Sequence, residues 1–183
     1  MHRPTLITPP DVLPVSLAEA KLHLRVDHDD DDTLIEGLIR AATDHLDGWT
    51  GILGRCLVEQ EWRQDFDTFE PSLPLALGPA TSIVKVEAGG QAVDQAIYTL
   101  QTDAAGMSRV TFTEQLQGPV SVTYKAGYPV EDGKAQIPAA LRVAILLLVG
   151  HWYQTREAAT AKSVAELPYA VSALIEPYRR TGV

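Results

Sequence analysis

The densest group of potential ligands in this 183-residue chain is the run Asp27-His28-Asp29-Asp30-Asp31-Asp32. Carboxylates in series suggest a hard cation. A calcium loop, however, needs oxygen ligands at alternating positions, Gly at the sixth and Glu at the twelfth. Counted from Asp27, those positions hold Asp32 and Leu38; counted from Asp29, they hold Leu34 and Arg40. Neither register fits, so the run reads as a solvated, helix-capping loop. The histidines at 2, 23, 28, 45 and 151 show no HExxH, HxH or Cys/His metal spacing. His45 and His151 lie near apolar helical faces and read as hydrogen-bonded core or interface residues. Cys56 is the only cysteine and is expected to be a small core hydrophobe. No GxSxG, P-loop or GxGxxG motif occurs. The sequence therefore names no catalytic residue, no metal ligand and no cofactor. The other polar–aromatic features are Trp152-Tyr153 with Arg156, and Tyr178 with Arg179-Arg180. Trp, Tyr and Arg are the residue types enriched at the energetic centres of protein interfaces. These six are the candidate partner or oligomer contacts.

The elements that must position them follow from periodicity. Residues 1–15 carry Pro4, Pro9, Pro10 and Pro14 and predict an extended arm. Ser16 and Glu19 have capping-box spacing and open a short helix. A second helix runs from Asp32 to Trp49 or beyond, with Leu34, Ile35, Leu38, Ile39, Ala42, Leu46 and Trp49 on one face. From Cys56 to Tyr128, β-branched residues, Gly and Pro become dense. Residues 59–66 read as a polar, exposed strand; 82–87, 96–100, 109–112 and 120–124 read as further strands of an antiparallel sheet or small sandwich. Pro138 opens a third helix that is apolar almost all round and therefore central. Residues 155–166 read as a loop. Pro168 opens a last helix, which should stop near Ile175 because Pro177 follows. The expected fold class is α+β: a helical core of about four helices, two of them long, with an inserted antiparallel β-rich region. The expected division is an arm at 1–15, a helical core at 16–55 and 137–183, and a β-rich insertion at 56–130.

Composition narrows the functional classes. The formal net charge is −9, from 24 acidic against 15 basic side chains. Affinity for DNA comes largely from Lys and Arg neutralising phosphates, so general nucleic-acid binding is disfavoured. A single cysteine forms no intramolecular disulfide, which fits a reducing compartment. The N-terminus lacks a signal-peptide pattern, and the longest apolar run, Val143 to Val149, is too short to span a bilayer. A soluble protein made in a cytoplasm, with no membrane partner, is expected.

The order of the motifs at the two ends resembles one family. Leu17–Lys21, the acidic link Asp27–Asp32, a long second helix, Pro138, His151–Glu157, Leu167–Pro168 and Pro177–Arg179 together resemble the head–tail connector (adaptor) proteins of long-tailed bacteriophages and phage-like gene-transfer particles. The resemblance lies at the two ends; residues 56–130 carry none of it. It implies a structural virion protein rather than an enzyme, located at the head–tail junction and assembled in a bacterial cytoplasm. It implies a ring, commonly twelvefold, beneath the portal protein. Such a ring extends the DNA channel and docks a stopper or other tail-proximal protein. DNA would pass through without specific binding, and an acidic wall suits that. The C-terminal segment with Tyr178, Arg179 and Arg180 is the implied portal contact. The competing readings are a stopper or tail-completion subunit, and a small metal-dependent hydrolase using the aspartates.

Overall fold

A computed structural model describes residues 2–104, 106–155 and 169–180. Its architecture is α+β, with helices on helices and strands on strands. The chain begins with β1 (Thr5–Thr8), then α1 (Leu17–Leu24) and α2 (Asp32–Leu46). The strands follow: β2 (Gln60–Phe66), β3 (Ser72–Pro74), β4 (Ala80–Ala88), β5 (Gln91–Ala92), β6 (Tyr98–Thr102), β7 (Ser108–Phe112), β8 (Val120–Ala126), β9 (Val130–Glu131) and β10 (Lys134–Ala135). Two helices close the described chain, α3 (Ala139–Gln154) and α4 (Tyr169–Ile175), and a 3-10 turn at Glu176–Tyr178 ends α4 at the predicted place.

The helices form one apolar cluster. Ile35, Ile39, Ala42 and Leu46 of α2 face Leu141, Ala144, Ile145, Leu148 and Val149 of α3, with Val171 and Ile175 of α4 closing the group. Ser16 caps α1: its hydroxyl accepts the Glu19 N–H at 3.2 Å, and the Glu19 carboxylate accepts the Ser16 N–H at 2.9 Å. At Gly150 of α3, α1 approaches so closely that a Cβ would meet His23 Nε2 at 3.4 Å and Leu24 Cδ2 at 3.9 Å. α3 is not buried all round, for Val143 keeps 42% of its surface.

The strands form a five-stranded antiparallel sheet, in the order β1-β2-β8-β4-β5, and a three-stranded one, β3-β7-β6. β9 and β10 pair as a small separate ribbon. A second apolar cluster fills this part, built from Trp62, Phe66, Leu73, Leu75, Leu77, Val86, Val110, Val120, Val122 and Tyr124, with Cys56 buried as expected.

Two sequence expectations need correction. α2 ends at Leu46 rather than at or beyond Trp49. The reason is Asp47, whose carboxylate accepts the Leu57 N–H at 2.5 Å and the Gln60 side-chain N–H at 2.9 Å, turning the chain out of the helix. Trp49 therefore packs on the β cluster. Second, β2 is not an exposed strand. It lies between β1 and β8, with Gln60, Trp62, Gln64 and Phe66 all facing inward. The buried Gln64 side-chain oxygen accepts the Ala76 N–H at 2.8 Å, which satisfies that acceptor away from water. Within residues 1–15, Thr5–Thr8 is extended and adds β1 to the sheet edge. The expected loop at 155–166 lies, beyond Thr155, outside the described residues.

Candidate functional site

The acidic run is engaged more than a solvated loop would be. Lys21 Nζ of α1 reaches both Asp29 and Asp32 at 2.6 Å, and only 15% of its side chain stays exposed. The hydrogen bonds to Asp29 and Asp32 raise the Lys21 pKa, and the same contact lowers that of Asp29. Asp31 accepts the Tyr153 hydroxyl, so the α1–α2 turn is fastened to the end of α3. Asp31 occupies the N-cap of α2 without a side-chain capping bond. Among the described residues, no three His, Cys, Asp or Glu side chains are grouped to hold a metal ion.

The six sequence candidates divide into two places. Trp152 is half-buried on the helical cluster, edge-on to His45 with ring centroids 6.2 Å apart. Tyr153 is half-buried and binds Asp31. Arg156 lies outside the described residues. Tyr178 packs against the helical cluster, while Arg179 is exposed and sits 3.6 Å from Glu176. Arg180 points inward: its Nη2 donates to the Leu75 carbonyl at 2.7 Å, its Nη1 to the Ala76 carbonyl, and its Nε to Met107 Sδ at 2.9 Å. Burial pulls its pKa down; Arg55 nearby adds to this, and the fields of Tyr124 and Asp103 oppose it. The chain thus holds Arg180 within itself and presents Arg179 outward.

A second arginine works in the same way on the helical side. Arg142 Nη1 donates to the Pro14 carbonyl at 3.1 Å and to Glu19 Oε1 at 2.9 Å, and its Nη2 to the Ala135 carbonyl at 2.7 Å. One guanidinium thereby joins the proline-rich linker, α1 and the entry to α3. Sequence reasoning missed this clamp: Arg142 stands out as the only Arg, Lys, Asp or Glu in α3, but two of its partners, Pro14 and Glu19, lie more than a hundred residues away in the chain.

Two further surface features were not legible beforehand. Leu22 on α1 and Tyr169 on α4 stand 81% and 88% exposed. At the far end of the three-stranded sheet, Phe69, Pro71 and Phe112 line an open groove of about 340 Å³ rimmed by Glu114 and Gln115. Among the described residues, no helix is long and apolar enough to cross a membrane.

This architecture matches solved structures over its whole length. A chain from the neck of an empty gene transfer agent (GTA) particle, computed with C6 symmetry, superposes with a TM-score of 0.78 at 20% identity, covering 100% of this chain and 97% of that one. A chain from the virion of the native gene transfer agent particle gives a TM-score of 0.78 at 20% identity, covering 98% and 96%. One from the neck of the native particle, computed with C12 symmetry, gives 0.72 at 19% identity, covering 100% and 97%. At these identities the likeness establishes the fold. No curated protein matches the chain. A family model for head completion proteins matches residues 15–181, so the class is that of structural proteins of the virion's head–tail junction. The chain belongs to the head completion protein family. It is a structural head–tail connector protein of a phage-type particle, not an enzyme.

Proposed function

We propose that this chain is a connector subunit that assembles as a ring, twelvefold in the particle, beneath the portal protein. There it extends the DNA channel and docks a stopper or other tail-proximal protein. The observation that carries this reading is the family match over residues 15–181, supported by full-length likeness to a neck chain from a C12-symmetric assembly. A net charge of −9 suits a channel wall that DNA must pass without sticking. The arm at 1–15, the helical core at 16–55 and 137–183, and the β-rich insertion at 56–130 are the working parts in this reading.

The proposed partner surface runs along the end of α3, with Trp152, Tyr153 and Arg156, and along the C-terminal segment with Tyr178, Arg179 and Arg180. Arg179 is the group that reaches the portal protein; Arg180 anchors the segment that presents it. The test is absolute mass by light scattering, for the chain alone and mixed with its cognate portal protein. A ring-sized complex with portal is the expected result, and Arg179→Ala, at an exposed side chain, should weaken it while leaving the melting temperature unchanged. A chain that stays monomeric with portal but binds isolated tail tube would favour the tail-completion reading instead.

A further inference from the structure

The helical cluster and the β cluster are two separate cores. Helices pack on helices and strands on strands, and connecting segments fill the junction between them. Among the described residues, the chain crosses that junction three times, around residues 9–11, 47–59 and 127–138. At the crossing over 47–59, Gly48 donates to the Arg55 carbonyl at 2.8 Å and Cys56 to the Gly78 carbonyl at 3.0 Å. At the crossing over 127–138, Gly127 donates to the Pro79 carbonyl at 2.9 Å. Two bodies joined by short links are expected to rotate against one another unless their interface is large and apolar or something further ties them.

Arg180 is placed to be that tie. Its main-chain N–H donates to the Leu53 carbonyl at 3.0 Å, and Leu53 belongs to the helical cluster. Its Cβ lies 3.4 Å from where Gly54 would carry a side chain. Its guanidinium extends the other way, to the carbonyls of Leu75 and Ala76 and to Met107. Leu75 belongs to the β cluster, and Met107 precedes β7. One residue thus has its backbone fastened to one body and its side chain to the other. It also ends the described C-terminal segment, which follows α4 and the turn at Glu176–Tyr178. A planar fork with several donors suits this role, because it binds two carbonyls at once in fixed geometry.

We propose that Arg180 is a positioning residue that locks the angle between the helical core and the β region, so that the C-terminal segment controls the orientation of the β region. A partner that draws the segment away from Leu53 and Leu75 would free the β region to turn about residues 9–11, 47–59 and 127–138. The coupling resides in this chain and does not depend on the ring reading.

Distance measurement between two spin labels tests it on the full chain. In a Cys56→Ala background, labels at exposed Arg40→Cys on α2 and Gln101→Cys on β6 report the angle between the bodies. Labels at Lys85→Cys and Gln101→Cys report the β region alone. The wild-type residue at 180 should give narrow distributions for both pairs. Arg180→Gln should widen the cross-body distribution about twofold and leave the β-internal pair unchanged. Arg180→Lys, which keeps the charge but not the fork, should fall between and guards against loss of fold in the Gln variant. An unchanged cross-body distribution in both variants would overturn the proposal. So would equal widening of the two pairs, since Arg180 would then merely stabilise the β region.

Discussion

Asp47 carries a carboxylate into partly buried surroundings, and burial raises its pKa despite bonds from Gln60 and Leu57. A carboxyl raised in the folded state binds its proton more tightly there than in the unfolded chain. Its charge therefore costs stability as pH rises above 3.8, and the cost is absent in acid. What Asp47 contributes is geometry, as acceptor for the Leu57 N–H and the Gln60 amide. Asp47→Ala should cost about 2–3 kcal/mol in urea unfolding, since it orphans a shielded N–H. Asp47→Asn, which keeps one acceptor, should cost less than half of that at pH 7. Glu19 has the opposite sign. Burial pushes its pKa up, but the Ser16 N–H and hydroxyl and the Arg142 guanidinium outweigh this and leave it lowered. Its contribution is present above pH 4.5 and is lost as pH falls through the depressed folded value. Glu19→Gln should therefore flatten the acid limb of stability against pH below 4.5 and shift stability at pH 7 downward.

At the scale of elements, α1 depends on its cap more than on its sequence pattern. It has eight residues, buries only Ala20 and exposes Leu22. Helices of this length are not stable alone. Ser16→Ala should cost about 1 kcal/mol, measured by thermal unfolding, and the loss should not add fully to that of Glu19→Gln because the two share one capping box. Gly127, just after β8, has φ of +119°, and a Cβ there would stand 2.2 Å from the Val58 carbonyl oxygen. Gly127→Ala must move the backbone at the junction, and it should abolish soluble expression or lower the melting temperature more than any cap variant. Strand order predicts a gradient in hydrogen exchange. β8, central in the sheet and buried at Val120, Val122, Thr123 and Tyr124, should exchange slowest. β1, exposed at all four residues on the sheet edge, should exchange fastest of the strands.

For the whole molecule, the acidic balance makes a further prediction. With a net charge of −9, the free chain should show no retardation of duplex DNA at physiological salt, and lowering the salt should not reveal tight binding. Tight, salt-sensitive binding would contradict a wall past which DNA slides.

The sequence by itself determined the class of fold, the capping box at Ser16, the period of α2 and the stop at Ile175, because each rests on neighbours within a few residues. The order of end motifs was likewise enough to point to the family. It misplaced the end of α2 and the exposure of β2. Asp47 and the inward glutamines are polar, and polar residues read as surface until a distant backbone partner is known. Gln64 finds Ala76, and Asp47 finds Leu57 and Gln60, only in the folded chain. The same holds for the candidate contacts. Trp152, Tyr153, Tyr178, Arg179 and Arg180 are alike in being interface-type residues, and nothing local separates them. Tertiary structure decided that Arg179 faces outward and Arg180 inward, because that choice depends on the carbonyls of Leu53, Leu75 and Ala76, more than a hundred residues away along the chain. Local periodicity sets which elements form; long-range polar partners set which side chains remain to meet another protein.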